Sequence, residues 1–379
     1  MPDRSRPSPE GGHEAEVKEA DVVELVEQAR LDELRDVSAE QVYSHVEYLG
    51  RELPGPVDLY QRWERQQWSA TGLDFGLDEA QWKQAPTRVR EQLEGTFSGF
   101  FYGEQAVTDT LAPLLLGAPD EEHRLFLATQ VVDEARHSYF FSRFYNHVLG
   151  VPGGLREALA ALGRADESVR EEDTSDGYDR IFDPRRGELA TATEAVRLEP
   201  RSYGRWVQAI TVYHLMVEGI LALTGQRRVL RLLRDMDLLP AFRAGFTAVT
   251  RDESRHVSYG VWALRQAVAA GYEADIRAVV DRTLEPCLRV YANPAFKLPD
   301  PRQLPPPARQ DPRETWNFAL DAITKRLRSA GADAGWIASV EQRGRAQLAE
   351  QPATYERIHG VEHPVRVWER GEVEAIASR

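Results

Sequence analysis

The sequence predicts an all-α protein whose centre is a four-helix bundle flanked by additional helices. Three observations lead there. Apolar residues recur at the three-and-four spacing of a helix along most of the chain, no convincing strand pair interrupts them, and two pairs of long helical stretches carry the same acid-and-imidazole motif. A length of 379 residues with 42% hydrophobic and 28% charged side chains is a globular composition, enough for one or two domains with a sizeable core.

Taken in order, residues 1–14 are rich in Pro, Gly and charge, and predict a disordered tail with too little apolar surface to offset ordering. Residues 15–66 place Val22, Val23, Leu25, Val26, Val42, Val46 and Leu49 at helical spacing, with Ser38 as an N-cap, and predict two or three outer helices. Two long helices follow over 79–116 and 120–149, separated by Gly117-Ala118-Pro119 and restarted by Asp120. Gly150 and Pro152 end the second. The charged segment 165–200 has no clear period and predicts a long irregular insertion. Helical periodicity returns over 201–233 and 240–270, then in shorter pieces over 273–292, 312–329 and 333–349. Residues 15–296 are therefore expected to form the main helical domain and 297–379 a helical extension, joined through a Pro-rich surface linker.

Several function classes are excluded by simple chemistry. A net charge of −14 does not suit a nucleic-acid surface, which needs clustered Lys and Arg. The single cysteine, Cys287, rules out an intrachain disulfide and any Cys-rich metal site, and fits a reducing cytoplasm. The first residues lack the apolar core of a signal peptide, and no run of about 18 apolar residues is seen. A soluble cytoplasmic protein without a membrane span is the expectation.

The motifs are Glu134-Ala-Arg-His137 and Glu253-Ser-Arg-His256. At i and i+3 the acid and the imidazole share a helix face and can close on one metal ion. One such pair is common on solvated helices; the repeat is the signal. Each has a glutamate about one helical hairpin upstream, Glu104 in SGFFYGEQAV and Glu218 in YHLMVEGILAL, where an unpaired charge would be expensive to bury. Two helices giving a Glu and two giving Glu-x-x-His make the ligand pattern of dinuclear carboxylate bundles. Oxygen-rich, imidazole-poor ligation suits iron and manganese and permits reaction with O2. Asp133 and Asp252, one residue before each motif, either orient the histidines or face solvent. Arg136 and Arg255 are expected as surface partners or as neighbours of the ligands.

On these residues the sequence resembles the small subunit of ribonucleotide reductase and, more closely, its relatives the ligand-binding oxidases with a manganese/iron cofactor, in the ferritin-like superfamily. The resemblance covers roughly residues 80–270. It implies that Glu104, Glu134 and His137 serve one metal and Glu218, Glu253 and His256 the other, with some glutamates bridging. It also implies a manganese/iron pair or a di-iron alternative, a homodimer, and a long-chain fatty acid in an apolar tunnel. Phe97, Phe100, Phe101, Leu111, Met216, Ile220 and Leu221 could line such a tunnel or be plain core, and Trp206, Trp262 and Tyr259 read as core. The reductase position for a radical tyrosine is Phe141 here, with Tyr139 on a different face. In the oxidases a valine three residues after the first glutamate and a tyrosine five before the third become joined by an ether bond. Val107 and Tyr213 occupy those offsets, and Gly219-Ile-Leu-Ala-Leu-Thr-Gly225 adds to the likeness. Five residues span about 140° around a regular helix, so Tyr213 would point away from Glu218 unless a π-bulge intervenes. The 165–200 segment is longer than the resemblance leads one to expect. The implied function is O2-dependent oxidation of a bound hydrophobic substrate. Alternatives are a reductase subunit lacking the radical tyrosine, though the ending VWERGEVEAIASR has no aromatic cluster, and a dimetal N-oxygenase or other biosynthetic oxidase. Iron storage fits poorly with the extra helices.

Overall fold

Side-chain caps set several helix starts in the computed structural model, which describes residues 19–166 and 177–374. Ser38 and Gln41 form a reciprocal capping box at the start of α2 (Ala39–Glu52), which follows α1 (Glu19–Gln28). Asp120 accepts from the His123 amide and opens α6 (Glu121–His147). Between them lie α3 (Pro56–Arg65), α4 (Gly76–Gln84) and α5 (Thr87–Leu116). The single helix expected over 79–116 is thus two. Pro86 disfavours helical backbone at Ala85, which turns extended (ψ 144°) and ends α4.

Two further helices, α7 (Leu155–Asp166) and α8 (Gly177–Phe182), precede α9 (Glu188–Leu198). The irregular insertion expected over 165–200 is corrected for its described part. Leu189, Ala192, Thr193 and Val196 recur at helical spacing in α9, and all four are buried. The flanking Gly and Pro residues hid this short period. The expected tail over 1–14 lies outside the described residues.

A continuous run then spans 203–235: α10 (Tyr203–Ile210), a π-helical segment (Thr211–Ala222) and α11 (Leu223–Asp235). By length and hydropathy it could cross a membrane, yet 89% of its apolar window is buried inside the protein. Helix α12 (Pro240–Ala269) completes the central set with α5, α6 and the π segment. Its own N-cap residue, Leu239, is left-handed (φ 53°), and Asp78 of α4 caps it instead by accepting from the Ala241 and Phe242 amides at 3.0 and 2.7 Å. The remaining helices are α13 (Glu273–Ala292), α14 (Pro312–Ser329), α15 (Ala334–His359) and α16 (Pro364–Glu369). Helices α13 and α14 pack on the π segment. No strand occurs among the described residues.

The outer N-terminal helices are bound tightly to α12. Arg251 is buried there and donates to the carbonyls of Val26, Ala29 and Gln66, so one guanidinium holds the ends of α1 and α3. Where α12 meets α6, Gly245 allows close approach: a Cβ there would stand 2.4 Å from Phe140 and 2.8 Å from Leu73. Gly245→Ala is expected to destabilise the protein by about 1–3 kcal/mol through overpacking. Urea denaturation checks this; an unchanged midpoint would show that the two helices separate freely.

Candidate metal centre

The six residues singled out by motif converge on one buried point. Glu104 projects from the middle of α5, Glu134 and His137 from α6, Glu218 from the π segment, and Glu253 and His256 from α12. None is more than 5% exposed. His137 Nδ1 lies 3.3 Å from Glu104, 3.4 Å from Glu134 and 3.7 Å from Glu253. His256 Nδ1 lies 3.4 Å from Glu134, 3.5 Å from Glu218 and 3.2 Å from Glu253. Two ion-sized groups result, one of Glu104, Glu134, His137 and Glu253, the other of Glu134, Glu218, Glu253 and His256. Glu134 and Glu253 belong to both, so these are the two acids placed to bridge.

Each imidazole is braced from behind by the aspartate of the opposite motif. His137 Nε2 is 3.2 Å from Asp252, and His256 Nε2 is 3.2 Å from Asp133. An Nε2–H donated to a carboxylate leaves Nδ1 as a lone pair aimed at the glutamates, the form a metal requires. Arg255 ties the two aspartates together at 3.0 and 2.7 Å, while Arg136 lies 3.3 Å from Asp133 and 3.5 Å from Asp252. The aspartates are buried, which settles their alternative against solvent. Arg255, only 1% exposed, is no surface residue.

Residues outside the motifs complete this frame. Trp63 and Trp68 donate their indole N–H to Asp133 and Asp252 at 2.9 and 2.8 Å, and Gln66 accepts from Arg255. Gln130 donates to Glu218 at 2.7 Å, and its carbonyl meets His214 Nε2 at 2.9 Å. Gln130 stands one turn before Glu134 on the same face of α6, a signal that sequence reading passed over. The tryptophans arrive from distant segments and have no such signal.

The π segment resolves the angular problem at Tyr213. Hydrogen bonds from i to i+5 bring a residue and the fifth one after it nearly into line. The Tyr213 hydroxyl accordingly sits 3.3 Å from Glu134 Oε1 and 3.5 Å from the Val107 carbonyl oxygen. Phe141 is fully buried and stacked against Phe100 and Phe101, whereas Tyr139 is 45% exposed. Of the expected tunnel residues, Phe97 is packed against Phe144 and Phe242 as ordinary core. Trp206 and Tyr259 are buried and Trp262 is partly so.

Electrostatics fits a cation site. Asp133 and Asp252 have guanidinium partners, but among the described residues no Lys or Arg pairs with Glu104, Glu134, Glu218 or Glu253. Glu104 Oε2, Glu134 Oε2, Glu218 Oε2 and His137 Nδ1 have no hydrogen-bond partner. Two divalent ions would neutralise the four acids and occupy those orphaned atoms. Without them, burial pushes Glu104 up to about 8, and burial with neighbouring acids raises Glu218 and Glu253. Burial alone would raise Glu134 too, but hydrogen bonding to His137 and the charges of both histidines pull it down to about 2. Burial also opposes protonation of His137 and His256; Glu104 and Asp133 respectively lead the interactions that reverse this and raise both.

The sign of the pH dependence follows. Between about pH 7 and 8 the metal-free folded state holds protons on Glu104 and the two histidines that the unfolded chain has largely released, so stability falls as pH rises, by at most about 1.4 kcal/mol per pH unit for each proton. His45, His214 and His363, depressed by burial to about 3, 3 and 4, and His123, also lowered by burial, are neutral in the folded state but partly protonated in the unfolded chain near pH 6.5, so they oppose this trend at that end and fade above about pH 7. The urea midpoint of metal-free protein should therefore drop from about pH 7 to 8, and that of metal-loaded protein should drop less. A metal-free midpoint that rises would contradict the assigned environment. Asp252→Asn, which weakens the brace on His137, should lower metal affinity by roughly 10–100-fold in a chelator competition.

No protein-family model matches the chain. Solved structures do resemble it. An R2-like ligand-binding oxidase from Sulfolobus acidocaldarius aligns at 22% identity with a TM-score of 0.54, covering 76% of this chain and 90% of that one. A valine-to-leucine variant of an R2-like ligand-binding oxidase, with an aerobically reconstituted Mn/Fe cofactor, aligns at 20% identity and a TM-score of 0.52, covering 78% and 91%. The chain shares with these proteins the ferritin-like, all-α fold in which four helices enclose the candidate centre.

Proposed function

We propose that this protein is an oxygen-activating dimetal-carboxylate oxidase acting on a small hydrophobic, fatty-acid-like ligand. The observation that carries the reading is the pair of overlapping buried ligand groups that share Glu134 and Glu253. Glu104, Glu134, His137 and Glu253 would hold one ion, and Glu134, Glu218, Glu253 and His256 the other. The donor set suits manganese and iron, and a solved structure of similar fold carries a reconstituted Mn/Fe cofactor. A manganese/iron pair is therefore the proposed cofactor, with di-iron as the alternative. When bound, such a pair supplies the reduction of O2.

The chain's own residues do the rest. Asp252 and Asp133 keep His137 and His256 oriented, and Arg255 keeps the two aspartates from repelling each other. Gln130 restrains Glu218. Phe126 and Trp68 lie against His256 and His137 and help exclude water from the histidine side of the site. Tyr213 is kept neutral, since burial and the surrounding glutamates raise its phenol well above its usual range. Its hydroxyl stands beside Glu134 and the Val107 backbone.

That placement supports a self-made ether crosslink. One hydrogen leaves the Val107 β-carbon and one the Tyr213 hydroxyl, a C–O bond forms, and the two electrons and two protons pass to O2. This pairing favours an oxidase over an N-oxygenase or a reductase subunit, neither of which needs it. After aerobic loading with manganese and iron, peptide mass analysis should find the Val107 and Tyr213 peptides joined with loss of two hydrogens, and Tyr213→Phe should abolish the product. Separate, unmodified peptides in protein containing both metals would refute the crosslink. A His256→Ala protein that still binds two metals and consumes O2 would refute the dimetal assignment itself.

A further inference from the structure

Tyr259 is a buried phenol with no part in the candidate centre, yet it stands beside it. It follows His256 by three residues on α12, one turn further along the same face, and is fully buried. Its ring is stacked on Phe126, with centroids 4.3 Å apart and planes at 20°, and Phe126 in turn meets the His256 ring edge-on at 6.2 Å. His214, which shares Gln130 with Glu218, has its ring 5.3 Å from that of Tyr259.

The partner of its hydroxyl sets this phenol apart. Tyr43 and Tyr291 donate to the Leu223 and Leu221 carbonyls, and Tyr145 meets the Ser98 hydroxyl at 2.8 Å; none of those groups takes up a proton. Tyr259 instead meets His123 Nδ1 at 2.8 Å. With the phenol donating, the imidazole carries its ring hydrogen on Nε2 and keeps Nδ1 as a lone pair. His123 is itself buried, and burial lowers its proton affinity against the opposing charge of Asp120, so the ring is neutral and free to accept. Its Nε2 lies 4.0 Å from the exposed Asp120 carboxylate, which offers a counter-charge to an imidazolium. Trp206 and Trp262 set their rings 4.9 and 5.2 Å from His123 and screen the pair from water.

We infer that Tyr259 and His123 form a redox-active pair, in which Tyr259 gives one electron to the centre once O2 has oxidised it and the phenolic proton moves to His123 Nδ1. A phenol that has lost an electron is a strong acid, so the electron leaves readily only where a base already stands within hydrogen-bond reach. No bond between heavy atoms forms or breaks. The products are a neutral phenoxyl radical and an imidazolium, and a one-electron donor such as ascorbate reverses both changes. The pair supplies an electron in turnovers where neither the Val107 C–H nor a substrate C–H bond is available. This step rests on the oxygen-activating reading of the centre.

The test uses the full chain loaded with manganese and iron, reduced, exposed to O2 without added substrate and freeze-trapped for electron paramagnetic resonance, with O2 uptake followed in parallel. A tyrosyl signal is expected that narrows when the tyrosines are ring-deuterated and couples to nitrogen in isotope-labelled histidine. Tyr259→Phe should abolish it. His123→Gln, which keeps an acceptor but supplies no base, should shorten its lifetime by at least about 10-fold. Tyr139→Phe, at an exposed tyrosine, should change nothing. The metal-free chain oxidised by flash-generated ruthenium(III) tris-bipyridine should give the same long-lived, histidine-coupled signal, and the isotope measurements decide the matter if Tyr259→Phe does not fold. O2 uptake without a radical, a radical lacking the histidine coupling, or a signal that survives Tyr259→Phe would overturn the pair and leave the dimetal centre standing. Two bound metals with no O2 uptake would overturn the oxygen-activating reading and this electron transfer together.

Discussion

Everything around the centre follows from burying four glutamates where no lysine or arginine reaches them. Such a cluster is unfavourable in a low-dielectric interior, and its charge must be met by protons or by cations. The metal-free protein uses protons, which is why Glu104 and Glu218 are held neutral well above the ordinary carboxylate range. The bundle thereby stores an unfavourable arrangement that metal binding would relieve, which would link cation affinity to folding free energy. Breaking one member of such a set costs far more than the set contributes to stability, because the remainder is left uncompensated.

The second consequence is structural support at a distance. Asp133 and Asp252 fix imidazole orientation, but two buried carboxylates side by side need their own counter-charge, and Arg255 provides it from between them. Arg255 in turn needs Gln66, and the aspartates need the Trp63 and Trp68 indoles. These come from α3 and the segment after it. The N-terminal helices are accordingly part of the centre's support, and Arg251 fastens them to α12 through backbone carbonyls.

The π segment concentrates irregular backbone at the site. Its widened turn lets Tyr213 and Glu218 face the same interior point. Irregular helix of this kind is uncommon and tends to sit where function requires a particular projection. It also carries His214 toward Gln130, and through Gln130 toward Glu218. Gly260 of α12 makes room for the displaced histidine: a Cβ there would lie 2.2 Å from His214 Cβ.

Much of this was legible in the sequence, and for a local reason. Glu and His at i and i+3 share a face whatever the fold, apolar periodicity marks a helix before it packs, and Ser38 and Asp120 cap within their own first turns. The sequence by itself therefore determined the helices of the bundle and the six side chains that converge inside it. Where local signals were short or mixed, as at Pro86 and over α9, boundaries were misjudged. Tertiary structure alone decided that each histidine leans on the opposite motif's aspartate, that Arg255 is buried between those aspartates, and that tryptophans from α3 and beyond close the frame. Those pairings join residues dozens to hundreds of positions apart, and no periodicity along a chain encodes which helix face will meet which.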